Sequence, residues 1–545
     1  MHSGANEFTD EQVHLLKHFV SNTEKNVFVL RNLPEVIKGA LFSRYSRSTL
    51  GLRSLLLKEF IQNEDETSFG AIAGLRKTEE GNEEQMLAIK KAQSFYDRIL
   101  DGYGDDSIGE LGGAHLALEN VSMIAAKVIE DSRLGGSPLE KSTRYIYFDQ
   151  KVNDEYLFYR EPVLMTSAYR DQYLETCNNL FATYSKLIPP LTERLKEAFP
   201  KDPDTSKIAY NAALRAKVLD CLRGLLPAAT LTNMGVYGNG RFYEMLIHKL
   251  REHNLAELQD IGCDTFDELS RVIPSFIRRA GDDHKHHLAY AKYFESLDAE
   301  RKLVAAQHVQ STERHMQPGV RLVSHDPDAV SKVSGALLYN YSDCGLKELQ
   351  DHCANLGEEQ IAQILDSACS QRENRRHKGP RALEHAYYTF EITADFGIYR
   401  DLQRHRILTQ ERQLLTCDYG FYLPPELQGT ELEQDYIQAL EAAKKTYDLI
   451  RQELPEEAQY VVPMAYNIRW YFHINLRALQ WLCELRAAAA GHPGYRYVAQ
   501  EMAKQVAAVH PEFERFFKYV DYEGYEMGRL GQEQRQAEKA ESNRS

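Results

Sequence analysis

Two sequence patterns occur once in each half of the chain, in the same order, and this repetition constrains the fold more than any other feature. GALFSRYS at 39–46 and GALLYNYS at 335–342 share five of eight residues. Further along, SIGELGGAHLALENVS at 107–122 and RALEHAYYTFEIT at 381–393 each place a glutamate ahead of an extended stretch that leads into a helical one. Self-similarity of this kind indicates a duplicated structural unit.

A third pair of segments is the most detailed. Residues 223–241 read RGLLPAATLTNMGVYGNGR, and residues 459–477 read QYVVPMAYNIRWYFHINLR. In both, a proline follows the first four residues, and an Asn-x-Arg sequence ends the segment before an amphipathic helix. Three agreements in the same order predict a tandem duplication.

Each half is predicted to be α+β, with a small, mainly antiparallel sheet and long helices. In the second half, VRLVSHDPD at 320–328 predicts a strand and a turn, and YYTFEI at 387–392 predicts a further strand. We expect one domain over residues 1–300, a second over 315–530, and a disordered tail over 531–545.

The helical segment DDHKHHLAYAKYFESLDAERK joins the halves and contains His284, His286 and His287. Their spacing is poor for a metal, and no carboxylate or cysteine pattern supports them. We therefore predict a solvated helix and no metal site.

The composition excludes several classes of partner. The net charge of −15 weighs against nucleic acid, because binding a phosphate backbone needs a broad basic face. The sequence contains no run of eighteen apolar residues, so it predicts no membrane span. The N-terminal MHSGANEFTDEQ lacks an apolar signal core, and the eight cysteines form no C-x-x-C pair, which predicts a cytoplasmic protein with reduced thiols.

Arg404-His405-Arg406 places two guanidiniums beside an imidazole, which suits a small anionic ligand. The residues that follow do not complete a site, since Arg412 and Gln413 stand where a catalytic partner is needed. The remaining groups must come from elsewhere in the chain.

In the first half, SPLEKSTRY at 137–145 contains Glu140, Ser142 and Arg144 in alternation. On an extended strand or loop, alternate side chains point the same way, so these three would converge on one ligand, such as a nucleotide monophosphate. On this pattern alone, a surface strand with an ordinary ion pair is the alternative.

Together the two segments resemble the signature of flavin-dependent thymidylate synthases, R-H-R-x-x-S followed closely by E-x-S-x-R-Y, divided between the halves. The second half keeps residues 404–406, with Thr409 in the place of the serine. The first half keeps residues 140–145, with Asp-Ser-Arg at 131–133 in the R-H-R place. The resemblance covers most of both halves.

The resemblance also explains what each half lacks. The family has an arginine four residues before a proline, where the first half has Arg223 and the second has Gln459. The family's catalytic arginine corresponds to Arg486 in the second half, whereas the first half has Leu250 there and Arg251 one step away. We therefore expect residues 137–145 and 402–416 to form two walls of one site.

The family enzyme is a homotetramer with nucleotide sites between subunits, so the resemblance implies that a tandem chain forms a homodimer imitating it. The nucleotide-binding residues that it implies are Glu140, Ser142, Arg144, Arg223, Arg404 and Arg486. The FAD-binding residues that it implies are Glu140, Arg404, His405, Arg406, Asn475 and Arg477. Arg486 is the implied catalytic residue, because a fixed guanidinium stabilises negative charge on the uracil ring.

The implied activity is the reductive methylation of dUMP to dTMP, with FAD as hydride carrier and methylenetetrahydrofolate and NADPH as co-substrates. The flavin supplies the hydride, and the family needs no protein nucleophile. We therefore expect Cys221 and Cys417 to be small buried residues.

One departure from the family pattern leaves alternatives open. Three residues before R-H-R the family usually has a glutamine, whereas this chain has Asp401. A carboxylate there would accept from the base N3–H and change how the base is handled. The alternatives are a related flavin- and folate-dependent pyrimidine modification, such as hydroxymethylation, and a non-catalytic flavin- or nucleotide-binding regulator.

Overall fold

The computed structural model describes residues 8–46, 48–61, 109–309 and 317–542, and these form the α+β fold that the sequence predicts. Ser107 and Ile108 of the second repeated pattern lie outside the described residues. The first residues of the predicted first domain and the last residues of the predicted tail also lie outside them. The helices are α1 Asp10–Phe19, α2 Glu35–Tyr45, α3 Leu52–Leu55, α4 Met123–Glu130, α5 Pro162–Thr166, α6 Arg170–Ala198, α7 Lys207–Leu222, α8 Gly240–Arg251, α9 Ala256–Ser270, α10 Pro274–Ile277, α11 Lys285–His308, α12 Ala329–Tyr339, α13 Leu346–Ala354, α14 Glu358–Asp366, α15 Phe396–Leu402, α16 Glu433–Ile450, α17 Leu476–Arg486, α18 Pro493–Val509 and α19 Leu530–Ser542. The strands are β1 Gly113–Ser122, β2 Gly136–Glu140, β3 Lys151–Val152, β4 Glu155–Tyr156, β5 Leu231–Asn239, β6 Gly319–His325, β7 Tyr387–Asp395, β8 Thr409–Arg412 and β9 Asn467–Asn475.

The sheets repeat as the sequence does. One sheet has the strand order β1-β5-β2, and another has the order β6-β7-β9-β8. In the repeat, β1 is equivalent to β7, β5 to β9 and β2 to β8. The equivalent strands therefore follow the same order in both sheets, and the second sheet also contains β6. In the second sheet all pairs are antiparallel, and β7 pairs with β9 along nine residues. This agreement supports the predicted duplication.

The junctions between strand and helix are also repeated. In each half a short polar side chain at the end of a strand accepts a hydrogen bond from the first turn of the next helix. Ser122 and Asn239 do so in the first half, at 3.0 and 2.8 Å. Asp395 and Asn475 do so in the second half, both at 2.9 Å. These caps fix where each strand turns into its helix.

The chain divides into two compact units that do not coincide with its two halves. One unit comprises residues 1–118, 134–139 and 234–312, and the other comprises 119–133, 140–233 and 313–545. β1, β2 and β5 each run from one unit into the other. The second unit therefore contains residues from both halves, including every site residue implied by the resemblance.

Within the second unit, the two copies of the third repeat bond directly to each other. The Ala228 amide donates to the Val462 carbonyl at 2.8 Å. The equivalent bond from the other copy joins the Met464 amide to the Leu226 carbonyl at 2.9 Å. The two prolines of the repeat face each other in the same bridge. The exchange of equivalent bonds gives this contact a local two-fold symmetry.

The C-terminal segment differs from the sequence prediction of a disordered tail over 531–545. Residues Leu530–Ser542 form α19, which packs against α7 and bonds to it through Gln534, whose Oε1 accepts from the Ser206 amide at 3.0 Å. The segment is hydrophilic, but glutamine, glutamate, arginine, alanine and lysine are strong helix formers. Hydrophilicity indicated disorder, whereas helix propensity decides the local structure.

All eight cysteines are free thiols, and Cys221 and Cys417 are buried, as predicted. Among the described residues, none of the helices combines the length and the apolar character needed to cross a membrane. The linking helix α11 is largely exposed, as predicted, and His287, which stacks on His248, is its one buried residue.

The contact between the two repeat copies predicts a cost for added volume at Gly224. A Cβ there would lie 2.2 Å from the Tyr436 hydroxyl oxygen and 3.0 Å from the Ala465 Cβ, and Tyr436 is fully buried. We expect Gly224→Ala to lower the free energy of unfolding by about 1–3 kcal/mol. Urea unfolding of the full chain measures it, provided that the slope with denaturant is unchanged.

Gly524→Ala is the matched control, because nothing lies within 4 Å of its added Cβ. We expect that variant to stay within about 0.5 kcal/mol of the parent. Equal stability of both variants would contradict close packing between the repeat copies.

Candidate functional site

Glu140, the last residue of β2, is a buried carboxylate that binds three cations. Its Oε1 lies 2.6 Å from Arg400, and its Oε2 lies 2.8 Å from Lys127 and 3.3 Å from Arg404. Lys127 also pairs with the buried Glu130. Burial would raise the pKa of Glu140, but Arg400, Lys127 and Arg404 outweigh burial and lower that pKa to about 2. Glu140 therefore stays ionised and ties the first-half segment to the R-H-R segment.

Arg144 has different partners from Glu140. Its Nε and Nη2 bind both oxygens of Asp220 at 2.6 and 2.7 Å, and its Nη1 donates to the Tyr495 hydroxyl at 3.0 Å. Burial opposes the charge of Arg144, but Asp220 outweighs it and raises the Arg144 pKa. β2 ends at Glu140, and the Ser142 hydroxyl accepts from the Arg144 amide at 3.2 Å. The three alternate side chains thus do not share one set of partners, because a turn begins where the sequence suggested an extended segment.

Asp401 is the carboxylate that interacts with the arginines of the site. Its Oδ2 accepts from the buried Arg223 at 3.0 Å. Burial would raise the Asp401 pKa, but four arginines outweigh burial and hold the pKa of this carboxyl well below its usual range. In order of effect they are Arg223, Arg144, Arg404 and Arg486, called here the four-arginine cluster. Two members come from each half of the chain.

The four-arginine cluster retains donor capacity. Among the described residues, the Nη2 of Arg223 is buried and has no hydrogen-bond partner. Burial lowers the pKa of Arg486, which shows that its charge is poorly solvated there. Both features suit a ligand that brings further negative charge.

His405 and Arg486 bond to each other. Arg486 donates from Nε to the His405 Nε2 at 3.0 Å. Since a guanidinium can only donate, this imidazole nitrogen accepts, and the ring hydrogen is on Nδ1. Desolvation and the nearby charge of Arg486 lower the His405 pKa well below its usual range. The Tyr495 ring lies between Arg486 and Arg144, with its centroid 5.5 and 5.6 Å from their guanidinium carbons.

The other implied flavin residues are Arg406, Asn475 and Arg477. Arg406 is exposed in the loop after α15. Asn475 uses its side-chain oxygen to cap α17, and Arg477 donates to Glu384 at 2.6 Å and to the Gly379 carbonyl at 2.8 Å. Arg477 and Arg486 are at opposite ends of α17, about 14 Å apart along the helix axis.

The positions that departed from the family pattern have structural contacts. The Gln459 Oε1 accepts from the Leu415 amide at 3.1 Å, which an arginine could not do. Arg133 donates to the Leu408 carbonyl just beyond the R-H-R loop. Arg251 belongs to the other compact unit and pairs with Asp282 at 2.6 Å.

The sequence interpretation missed four residues of this site. Arg400 lies one helical turn before Arg404, a spacing that could have identified it. Lys127 stands with one acidic neighbour in an otherwise apolar run, which is typical of a buried ion pair. Asp220 and Tyr495 carry no local signal, because only the fold brings them to Arg144.

The fold and site define a duplicated α+β protein with a largely buried, arginine-rich cluster built from both halves of one chain. Residues 58–275 and 321–512 match the family model described as thymidylate synthase complementing protein. The chain belongs to this family.

The relatives fit both the duplication and the family. A UPF0159 protein of Chlamydia muridarum is 54% identical over 535 residues, which cover 98% of this chain and 99% of the relative. A UPF0159 protein of Thermoplasma acidophilum is 34% identical over 92% of this chain and 99% of its own length. A flavin-dependent thymidylate synthase of Clostridium tetani is 27% identical over 37% of this chain but 85% of its own length. Less than half of this chain thus matches most of a single-copy relative.

Because Asp401 neutralises arginines, its removal should strengthen anion binding. We expect Asp401→Asn to bind inorganic phosphate about tenfold more tightly, since each charge-assisted bond is worth roughly 1.5–3 kcal/mol and the cluster loses its own counter-ion. Isothermal titration of the full chain with phosphate measures the change.

Asp351→Asn serves as the control, because within the described part of the chain the Asp351 carboxylate pairs with the exposed Lys347 alone, one helical turn away. This control should bind phosphate as the parent does. If Asp401→Asn also binds phosphate with the affinity of the parent, the Asp401 carboxylate does not compete with bound anions for the arginines.

Proposed function

We propose that this chain is an FAD-dependent thymidylate synthase that reductively methylates dUMP to dTMP with methylenetetrahydrofolate and NADPH. The single observation that carries the proposal is that charged residues of the two halves pair directly in one site, where Glu140 binds Arg404 and Arg223 binds Asp401. Each half also lacks what the other keeps, so one chain supplies one complete residue set. We place the protein in the cytoplasm.

The nucleotide is bound by its charge. The partly exposed Arg404 and the unpartnered Nη2 of Arg223 offer donors that a phosphate or a base oxygen would satisfy. Arg144 keeps further N–H groups beyond those that bind Asp220 and Tyr495. Arg404 donates to Glu140, and this bond holds the Arg404 guanidinium in a fixed geometry toward the ligand.

The residues of the R-H-R loop fit the requirements of a flavin. Arg404 and Arg406 offer guanidiniums to a pyrophosphate, and neutral His405 offers an Nδ1–H donor. Asn475 and Arg477, at the far end of α17, would hold the remote end of so long a cofactor. The flavin, when bound, supplies the hydride for the transfer.

Arg486 stabilises the negative charge that develops on the pyrimidine ring. Its bond to His405 fixes the guanidinium, and its buried position strengthens its attraction for an anion. Because a guanidinium stays charged, it performs this role without transferring a proton.

Asp401 favours a second candidate reaction. The ionised carboxylate can only accept hydrogen bonds, so it favours a base that keeps its N3–H and opposes an N3-deprotonated uracil. A related one-carbon transfer to a pyrimidine nucleotide, such as hydroxymethylation, would make use of this preference.

One incubation distinguishes these reactions. The purified full chain is mixed with dUMP, methylenetetrahydrofolate, FAD and NADPH, and the nucleotide product is identified by mass. A product heavier by a methylene unit supports the thymidylate synthase, and a hydroxymethyl product supports the second candidate. Bound flavin without any new nucleotide would refute both and leave the non-catalytic binding protein.

Two arginine variants should separate cofactor binding from chemistry. We expect Arg404→Ala to lose flavin and turnover together, because Arg404 faces both proposed ligands. Arg486→Ala should keep its yellow colour but react about a hundredfold or more slowly, since losing one fixed donor costs roughly 2.7–4 kcal/mol in the barrier. Flavin absorbance and single-turnover rates measure the two effects.

The exposed Arg535→Ala is the control and should match the parent in both measurements. Wild-type turnover with lost flavin in Arg486→Ala would reverse the roles proposed for Arg404 and Arg486.

The duplicated chain is proposed to form a homodimer that imitates a tetramer of single-copy enzymes. We expect equilibrium dialysis to find one dUMP site per chain, because only one complete residue set exists in each. Light scattering should give the mass of two chains. Two equal dUMP sites per chain would mean that the halves have been paired wrongly.

A further inference from the structure

A cavity that is lined by Arg144 lies in the second compact unit. Its volume is about 260 Å³, and it opens between α7 and α19 in the second compact unit. Its polar lining includes Arg144, Tyr145, Arg215, Arg529, Gln532 and Glu533. Asp220 is not among the residues that line it.

Arg529 is held at the wall of this cavity. It is 7% exposed, and its Nη1 donates to the Tyr145 hydroxyl at 2.6 Å. The guanidinium carbon lies 4.3 Å from the centre of the Tyr145 ring, and Nη2 pairs with Glu533 at 2.7 Å. The Nε–H group is buried and has no partner among the described residues. A buried donor without an acceptor is costly, which points to a ligand that supplies one.

The charge of the lining selects the ligand. Three guanidiniums and one carboxylate, that of Glu533, line the cavity. Because Asp220 already pairs with Arg144, the formal excess is one positive charge. Gln532 and Glu533 belong to the first turn of α19, where the helix dipole adds positive potential. A phosphate monoester, a dianion with several acceptor oxygens, meets both requirements.

Arg529 lies outside the two matched family segments, the second of which ends at residue 512. Arg529 and α19 therefore belong to a C-terminal segment that follows the matched family segments. Arg144, already implied as a nucleotide ligand by the resemblance, is shared between the cavity and the four-arginine cluster.

We propose that this cavity binds the 5′-phosphate of the pyrimidine nucleotide and that Arg529 is a phosphate ligand. The identity of the nucleotide rests on the proposed function, whereas phosphate recognition by Arg529 does not. Arg215 assists from α7, with an exposed side chain at the mouth of the cavity.

The test compares three probes on the full-length chain by isothermal titration: dUMP, deoxyuridine, which lacks the phosphate, and inorganic phosphate. We expect Arg529→Gln to weaken dUMP and phosphate binding at least about tenfold and to leave deoxyuridine binding unchanged. Arg535→Gln changes an exposed arginine of α19 that does not line the cavity, and it should bind all three probes as the parent does.

Arg215→Gln guards against a folding artefact, because the exposed Arg215 side chain can be changed without disturbing the packing of α19. It should weaken dUMP and phosphate in the same direction. Parent-like binding of dUMP and phosphate by both variants overturns the proposal, and so does equal affinity of the parent for deoxyuridine and dUMP.

The same measurements separate the two proposals. If the parent chain makes no new nucleotide but Arg529→Gln still loses phosphate, the function fails and the phosphate site stands. If the parent converts dUMP and Arg529→Gln binds it as the parent does, only the phosphate site fails.

Discussion

The buried carboxylate of Glu140 is the interaction on which the rest of the site depends. It ends a strand of the first half and binds Lys127, Arg400 and Arg404, two of which come from the second half. Removing one partner of a buried ion pair typically costs about 3–5 kcal/mol, because the remaining charge is left without compensation. A shift of residues 137–145 relative to residues 402–416 would leave several buried charges without partners. The ion pairs of Glu140 therefore fix the relative position of these two segments.

Carboxylates also control how much positive charge the site presents. Asp220 accepts from the Nε and Nη2 of Arg144, and Asp401 accepts from Arg223. Without them, the converging guanidiniums would repel one another in a poorly solvated space. The protein thus keeps the arginines assembled before a ligand arrives, which is the preorganisation that electrostatic binding and catalysis require.

The sequence predicted the parts of this structure that depend on local pattern and repetition. The duplication, the α+β class and the strand at 387–392 followed from spacing and residue type, and the structure has all three. The division into compact units did not follow, because segments of the first half pack with the second half and sequence order contains no signal for that exchange. Asp220 and Tyr495 were missed for the same reason, and α19 was missed because its hydrophilicity was given more weight than its helix propensity.

The two copies of the third repeat show what a tandem gene permits. Position 223 is an arginine that faces the site, and the equivalent position 459 is a glutamine that accepts from the Leu415 amide. In an assembly of identical subunits, one side chain must serve every equivalent environment, so neither residue could be optimised alone. Covalent linkage removes that restriction, and each copy becomes free to evolve its own set of contacts.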